Sequence, residues 1–156
     1  MPMAIRSAGL LMYRRKYGAI EVLLVHPGGP FWAKKDEGAW SIPKGEYDSE
    51  AEDALEAAKR EFTEETGFPP GSIHRSLGEA RLRSGKVVAA WAFEGDCDPK
   101  ASVSNTFELE WPPRSGQRVR YPEADRAEWF AIEEACRRVH PAQRVFIERL
   151  ESMAAQ

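Results

Sequence analysis

The sequence predicts an α/β fold. Short apolar runs bounded by glycine and proline occur in both halves of the chain and have the length of β-strands. Between these runs, residues 49–67 have the pattern of a capped amphipathic helix, and residues 141–153 have a second helical pattern. Strands on both sides of a central helix, followed by a terminal helix, indicate helices packed on a sheet.

The first third of the chain is predicted to be extended. Residues 8–13 and 20–25 are apolar runs, and residues 14–18 between them have the composition of a hairpin turn. The proline and glycine residues at 27–30 end this pattern. Residues 31–35 fit either a short strand or a loop.

Residues 49–67 form the one strong helical pattern. Ser49 followed three residues later by Glu52 resembles a capping box, which places the start of the helix near Glu50. Apolar residues recur at spacings of three and four and predict one buried face: Ala51, Leu55, Ala58 and Phe62. Gly67 suits the left-handed position after the last turn, and the two prolines that follow prevent continuation.

The second half of the chain begins with a predicted hairpin. Residues 77–82 and 86–93 are strand patterns that flank the turn residues Ser84 and Gly85. Residues 95–125 are weakly patterned apart from a candidate strand at 106–111. A stretch of this length inside a compact domain is typical of a functional loop region.

The C-terminal part is predicted to contain one strand and two helices. Residues 128–130 form the last strand, and residues 132–139 a short helix. Pro141 fits the first turn of the final helix, because its fixed backbone angle suits that position. The apolar face of this helix is Ala142, Val145, Phe146, Leu150 and Met153.

Length and composition predict one globular domain over residues 1–156. The chain is 42% hydrophobic and 30% charged, and a net charge of −3 gives no general affinity for nucleic acids or anionic membranes. No apolar run approaches the roughly 18 residues of a membrane span, and residues 1–16 show no secretion signal. Cys97 and Cys136 are too few for a disulfide framework, so we expect free thiols and a cytoplasmic protein.

Three carboxylates converge at the end of the central helix. Glu61, Glu64 and Glu65 share one side, where like charges at spacings of three and four destabilise the helix by about 0.2–0.5 kcal/mol per pair. Negative charge at a helix C-terminus also opposes the helix dipole. Because both penalties fall in one place, we expect a bound cation there, and a divalent metal ion is the first candidate. The alternative is an acidic face exposed to solvent.

This stretch resembles the box of the Nudix hydrolase family. The second half of that box is Arg-Glu-U-x-Glu-Glu-x-Gly-U, where U is a bulky apolar residue, and residues 60–68 (REFTEETGF) match it in full. Glu52 lies at the family's distance before Arg60. Residues 40–45 (WSIPKG), a short extended piece, resemble the usual lead-in, and the order of strands and helices is also similar.

One position departs from the family pattern. Six residues separate Gly45 from Glu52, where the pattern has five. The extra residue falls within 46–49, where a loop accepts an insertion at little cost. The insertion leaves open whether the Gly45 carbonyl reaches a metal ion.

The resemblance implies a Nudix-type α/β/α sandwich with a mixed β-sheet and a hydrolase that depends on Mg²⁺ or Mn²⁺. The expected substrate is a phosphorylated small molecule, a nucleoside diphosphate linked to another group in the NTP or dinucleoside polyphosphate class. One alternative is a non-catalytic nucleotide-binding sensor, whose expected mark is an eroded triad. Another is an enzyme of a different reaction class on the same fold. No stable nucleic-acid partner and no membrane are expected, and the oligomeric state stays open.

The same resemblance assigns roles to the box residues. The metal ligands would be the three carboxylates and one backbone carbonyl: Glu61, Glu64, Glu65 and Gly45. Glu64 is alternatively the base that deprotonates water. Arg60 and Glu52 would pair across the junction of helix and loop and hold the triad in place. In the simpler interpretation, Glu52 only caps the helix and Arg60 is an ordinary surface cation.

Substrate contacts outside the box are less specified. Lys44 is expected either to contact a phosphate group or to face solvent. Glu108 and Glu110 alternate on the candidate strand and therefore share a face, from which they could supply an extra ligand or base. Glu123 and Asp125, just before the last strand, have a similar claim.

Aromatic and basic residues near the loops give further candidates. Trp32 and Trp111 are either core residues or stacking partners for a base. Three arginines form either a phosphate-binding fringe or a solubilising loop: Arg114, Arg118 and Arg120. Some dinucleoside polyphosphate and ADP-ribose hydrolases carry a Tyr or Pro after the box, and residues 76–86 contain neither. The histidines show no metal spacing and receive no role: His26, His74 and His140.

Overall fold

The computed structural model describes residues 5–155. The strands within this range are β1 (Ile5–Lys16), β2 (Ala19–Pro27), β3 (Lys44–Asp48), β4 (Arg75–Arg81), β5 (Val87–Glu94), β6 (Thr106–Glu110), β7 (Arg118–Pro122) and β8 (Ala124–Ala131). The α-helices are α1 (Ala54–Thr66), α2 (Ile132–Arg138) and α3 (Arg144–Ala154). Single 3₁₀ turns lie at Pro99–Ala101 and Pro141–Gln143.

Six strands form one mixed sheet. Its order is β4-β5-β1-β2-β8, and β3 also pairs with β1. β1 runs parallel to β5, while its pairings with β2 and β3 are antiparallel. Because β1 is 12 residues long, one of its edges accommodates β3 along residues 5–9 and β2 along residues 13–16. This arrangement places β3 and the turn that precedes it next to the centre of the sheet.

Helices cover both faces of the sheet. Successive side chains of β1 point to opposite faces: Leu10 and Met12 pack in the cluster that contains Phe62 of α1. Leu11 packs in the cluster that contains Phe146 of α3. The predicted α/β/α sandwich with a mixed sheet is confirmed.

The predicted hairpins are confirmed. β1 and β2 are joined by Tyr17 and Gly18, which both have positive φ, 53° and 80°. Two such residues form a turn whose twist matches that of the flanking strands. β4 and β5 pair around Gly85, which also has positive φ.

The predicted start of the central helix is wrong. α1 begins at Ala54, and its N-cap is Asp53, whose side chain accepts from the Glu56 N–H at 3.3 Å. Residues 49–52 form a turn in which the N–H groups of Ala51 and Glu52 both donate to the Asp48 carbonyl. The Glu52 carboxylate pairs with the Arg60 guanidinium, a charge-assisted contact.

The region between β5 and β8 contains more structure than the sequence predicted. The candidate strand at 106–111 is confirmed as β6, but its partner β7 was missed, and the two form a separate antiparallel hairpin.

Residues 31–34 lie in a turn, so the loop interpretation of residues 31–35 is correct there. Cys97 and Cys136 are free thiols. Over residues 5–155, no helix is long and apolar enough to cross a membrane.

Candidate functional site

The last turns of α1 carry the predicted carboxylate triad. Gly67 ends the helix in the left-handed conformation, and its N–H donates to the Thr63 carbonyl at 2.8 Å. Glu61 is buried, whereas Glu64 and Glu65 are half-buried. The three side chains therefore lie on the part of the helix that faces the body of the protein.

β3 contacts the triad through its first two residues. The Lys44 N–H donates to Glu65 Oε2 at 3.1 Å. A Cβ atom on Gly45 would lie 2.0 Å from Glu61 Oε2, so only glycine leaves room for that carboxylate. The box glycine thus has a steric role, while a metal contact of its carbonyl stays a prediction.

Arg60 connects the triad to the loop before the helix. Its Nε and Nη2 donate to Glu52 Oε2 and Oε1 at 3.0 and 2.9 Å, a bidentate pair. Its Nη1 donates to Glu61 Oε1 at 2.8 Å and to Glu64 Oε2 at 3.3 Å. The hydrogen bonds from Arg60 lower the pKa of the Glu52 carboxyl. The structure therefore contains the pair that was expected between Arg60 and Glu52.

The electrostatics of the triad favour a cation. Burial raises the pKa of Glu65 to about 8, against the opposing hydrogen bond from Lys44, and the charges of Glu123 and Glu61 add to the rise. Burial also raises the pKa of Glu61, with a contribution from Glu64. Negative charge is therefore costly here unless a positive group balances it.

A fourth carboxylate, that of Glu123, interacts with the triad although it is distant from it along the chain. It lies between β7 and β8, and burial together with the charge of Glu64 raises its pKa. The charge of Glu123 contributes to the raised pKa values of Glu61 and Glu65, and the charge of Glu64 contributes to that of Glu123, so the four carboxylates interact. Its position directly before the last strand was the sequence signal for it.

The donor set fits a divalent cation. Carboxylate and carbonyl oxygens are the ligands that Mg²⁺ and Mn²⁺ prefer, and four carboxylates exceed what the nearby Arg60 balances. Within residues 5–155, no three His, Cys, Asp or Glu side chains are already gathered in a metal-binding geometry. Arg60 instead lies between Glu61 and Glu64 and donates to both.

A cavity of about 250 Å³ adjoins the carboxylates. Its polar and aromatic walls include Trp32, Lys44, Glu65, Glu123, His140 and Gln143. Burial lowers the pKa of the Lys44 ammonium, and the charge of Glu65 acts in the opposite direction. The Lys44 ammonium and the carboxylates of Glu65 and Glu123 thus line one cavity large enough for a small ligand.

Glu108 and Glu110 lie apart from this cavity. Both are exposed on one face of β6, which confirms their alternation, but neither is among the residues that line the cavity. Glu108 pairs with Arg118 and Arg120 at 3.5 and 3.6 Å. Glu110 accepts from the Arg114 N–H at 2.8 Å. Their role as substrate contacts stays a prediction.

The two tryptophans near the loops have different surroundings. Trp32 lines the cavity, is 38% exposed, and has the Lys35 ammonium 5.1 Å from its ring centre. Trp111 packs edge-on against Phe31, with 5.3 Å between the ring centres. Of the two, only Trp32 is placed to contact a ligand in the cavity.

Two histidines that received no role have definite positions. His26 is fully buried, with Nδ1 2.9 Å from Asp125 Oδ1 and Nε2 2.6 Å from the Lys35 carbonyl. Asp125 therefore contacts His26, whereas its neighbour Glu123 lines the cavity. His140 also lines the cavity, and burial lowers the pKa of its ring. The sequence could not predict the contact of His26 with Asp125, because the two residues are distant along the chain.

Comparison with known proteins identifies one family. The model of the NUDIX domain matches residues 3–150. Comparison with curated protein sequences gives no significant match.

Solved structures with related folds cover nearly the whole chain. An Ap4A hydrolase from C. elegans, in a binary complex, is 22% identical with a TM-score of 0.63, and the match covers 96% of this chain and 98% of that one. The NUDIX domain of NrtR from Shewanella oneidensis, complexed with ADP ribose, is 14% identical with a TM-score of 0.66 and coverages of 99% and 90%. A MutT protein from Methanosarcina mazei is 20% identical with a TM-score of 0.57 and coverages of 97% and 96%. At these identities the likeness establishes the fold.

Proposed function

Because this chain belongs to the Nudix family, we propose that it is a divalent-metal-dependent hydrolase. Its reaction would be hydrolysis of the pyrophosphate bond in a nucleoside diphosphate linked to another group. The free thiols Cys97 and Cys136 support a reducing compartment, and we place the enzyme in the cytoplasm.

The observation that carries the proposal is the set of carboxylates beside the cavity. Glu61, Glu64 and Glu65 end one helix, and Glu123 approaches the same region from the start of β8. The repulsion among them is unfavourable in the absence of a cation. Such an arrangement is typical of a site that acquires its positive charge from a bound metal ion.

Each residue of the site has a proposed role. The metal would be held by three carboxylates and a backbone carbonyl, those of Glu61, Glu65, Glu123 and Gly45, and Glu64 would be either a further ligand or the base. When bound, it supplies positive charge that neutralises the diphosphate oxygens and makes water more acidic. Arg60 holds Glu61 and Glu64 and is itself fixed by the bidentate pair with Glu52. The Lys44 ammonium would bind a phosphate oxygen in the cavity.

Glu64 is the proposed base in the hydrolysis. Its side chain is 34% exposed, compared with 10% for that of Glu61, so water reaches it more readily. Glu64 would accept a proton as the water oxygen forms a bond to phosphorus. The bond from phosphorus to the bridging oxygen then breaks, and the leaving phosphate departs with the bridging oxygen.

The substrate class rests on the cavity and on related proteins. Ap4A and ADP-ribose, named for two structural neighbours, both contain adenosine joined through phosphates to another group. In this chain, Trp32 lines the same cavity as Lys44 and Glu65, so an aromatic ring and a phosphate could bind side by side. These features support the NTP and dinucleoside polyphosphate class.

A panel assay tests this function. Purified protein is incubated with Mg²⁺ or Mn²⁺ and each of several substrates: nucleoside triphosphates, dinucleoside polyphosphates, ADP-ribose, dinucleotides, capped RNA fragments and inositol pyrophosphates. Glu65→Gln is the test variant. The matched control is Glu56→Gln, because Glu56 lies on the same helix but in its exposed first turn.

The panel separates hydrolase from sensor. Turnover of one class that falls at least about 100-fold in Glu65→Gln supports the hydrolase, because even outer-shell changes at metal sites cost 10–100-fold. Glu56→Gln should keep the wild-type rate. Binding of a nucleotide in a thermal-shift assay without any turnover would instead favour the non-catalytic sensor.

A further inference from the structure

The structure points to Gly28 as a residue that positions Glu123. The N–H of Gly28 donates to the carbonyl of Glu123 at 2.9 Å. On the other side, the N–H of Glu123 donates to the carbonyl of Asn105 at 2.8 Å. The backbone of Glu123 is thus held from both sides. This inference rests on the proposed function, since it concerns a carboxylate of the proposed metal site.

Residue 28 must be glycine for reasons of space. A Cβ atom there would lie 1.9 Å from the carbonyl oxygen of Pro122 and 3.0 Å from its carbonyl carbon. These are backbone atoms, so no side-chain rotation relieves the contact. Any larger residue at position 28 therefore has to displace the chain just before Glu123.

An irregularity in the sheet explains why the two segments come so close. The pairing of β2 with β8 is regular up to His26 and Arg126, and Pro27 then pairs with Ala124. The register shifts at this point, so that one residue of β8 is skipped, and an extra residue of this kind redirects the side chains next to it. The skipped residue, Asp125, contacts His26. The end of the ladder is therefore fixed in the orientation that directs Glu123 towards the cavity.

The same connection extends to α1. The N–H of Asn105 donates to the Glu64 carbonyl at 2.8 Å, and the N–H of Val103 donates to the Thr66 carbonyl at 2.9 Å. These bonds use carbonyls that the end of a helix leaves without intrahelical partners. Glu123 is consequently linked through Asn105 to the backbone of the triad. The Gly28 N–H donates to the carbonyl of Glu123, whereas the Asn105 carbonyl accepts from the N–H of Glu123.

A fixed distance between Glu123 and the triad matters for metal binding. Ligands that approach from different elements must be held within a fraction of an ångström to bind one ion well. If Gly28 sets the position of Glu123, a substitution there should weaken metal binding without touching a ligand. Gly28 is a positioning residue in this account.

Mn²⁺ affinity, measured by EPR titration, tests the inference. Gly28→Ala should weaken Mn²⁺ binding by about 10–100-fold, as for outer-shell changes at other metal sites, with a parallel fall in kcat on the panel substrate. Gly95→Ala is the matched control, because a Cβ atom there meets only side-chain atoms of Phe93 and Met12 at 3.3 Å or more. The Mn²⁺ affinity of Gly95→Ala should stay within about two-fold of the wild-type value, because position 95 has no role in positioning the ligands.

A double variant separates positioning from general damage. If Gly28 acts through Glu123, Gly28→Ala combined with Glu123→Gln should bind Mn²⁺ no more weakly than Glu123→Gln alone. Additive losses, or wild-type affinity in Gly28→Ala, would overturn the inference. Activity that survives in Glu65→Gln would instead contradict the proposed function, so the two failures are distinguishable.

Hydrogen exchange on the wild-type protein covers the case in which Gly28→Ala fails to fold. Saturating Mg²⁺ should slow exchange of the Gly28 and Glu123 amides together, since both bonds depend on the position of Glu123. The Gly95 amide, which donates to the Tyr13 carbonyl, should be unaffected. Unchanged exchange at both Gly28 and Glu123 would contradict the inference.

Discussion

Glu65 is the residue at which burial and charge oppose each other most strongly. Its carboxylate accepts the Lys44 N–H, yet burial raises its pKa to about 8. Glu61 is buried beside Gly45, and a larger residue at position 45 would displace its carboxylate. The carboxylates of Glu61 and Glu65 are thus held where burial raises their pKa values, and perturbed pKa values of this kind cluster at functional sites.

Asp36, outside the cavity, shows the opposite effect: its pKa is lowered. The Trp40 indole N–H donates to Asp36 Oδ1 at 2.7 Å, and Arg138 pairs with the same carboxylate. The Trp40 hydrogen bond is the largest of the effects that lower the pKa of Asp36, and the bond from Arg138 comes next. Through these two contacts, the ionised Asp36 carboxylate stabilises the loop that precedes Trp40.

The pH dependence of stability tests the role of Asp36. A lowered folded pKa means that its stabilisation is present above about pH 3.9, the unfolded value, and is lost as the pH falls through the lower folded value. Asp36→Ala should therefore lower the free energy of unfolding at pH 7. The difference in this free energy between the variant and the wild type should be smaller at pH 3. The measurement is urea unfolding at both values. An equal difference in the free energy of unfolding at pH 7 and at pH 3 would contradict this role of Asp36.

At the scale of elements, the ends of α1 depend on contacts from outside the helix. The apolar spacing and Gly67 sufficed to predict where the helix lies and where it ends. Its start was mispredicted, because Ser49 and Asp53 are each followed three residues later by a glutamate. In the structure Asp53 caps the helix and Glu52 pairs with Arg60, and local sequence does not encode which of several bonds a carboxylate will make.

Removing the observed cap tests the corrected start of α1. Asp53→Ala should lower the free energy of unfolding by about 1 kcal/mol, because the Glu56 N–H loses its acceptor. Asp53→Asn keeps an acceptor and should remain close to wild type. Urea unfolding measures both variants. An effect below about 0.3 kcal/mol for Asp53→Ala would show that this cap contributes little.

At the scale of the whole molecule, one sheet separates two apolar clusters. Phe62 anchors the cluster under α1, and Phe146 anchors the cluster under α2 and α3. β1 contributes side chains to both clusters, so the two layers share a strand. We therefore predict that residues 5–155 unfold as one cooperative unit.

Substitution in each layer tests this prediction. Phe62→Ala and Phe146→Ala should each lower stability by about 3–5 kcal/mol, since both side chains are fully buried. Each variant should show a single calorimetric transition, as the wild type should. A second transition, shifted by only one of the substitutions, would contradict the prediction of a single domain.

The sequence predicts features that depend on neighbouring residues better than features that depend on contacts between distant residues. Both hairpins and the triad depend on periodicity and spacing within short segments, the layer order followed from the resemblance to the Nudix family, and the structure contains all three. The proximity of Glu123 to Glu65 depends on packing between distant segments, whereas β7 was missed although its partner β6 is close in sequence. A weakly patterned stretch such as residues 95–125 gives no register from which such pairing could be predicted.

The measurement that tests the central claim most directly is the rate of substrate hydrolysis as a function of Mg²⁺ concentration. The panel substrate with the fastest turnover is assayed with wild type, Glu65→Gln and Glu56→Gln, each with Mg²⁺ or with a chelator. We predict saturable activation of wild type and Glu56→Gln, no turnover with the chelator, and a loss of at least about 100-fold in Glu65→Gln. Equal rates with Mg²⁺ and with the chelator, or a wild-type rate in Glu65→Gln, would contradict a metal-dependent carboxylate site.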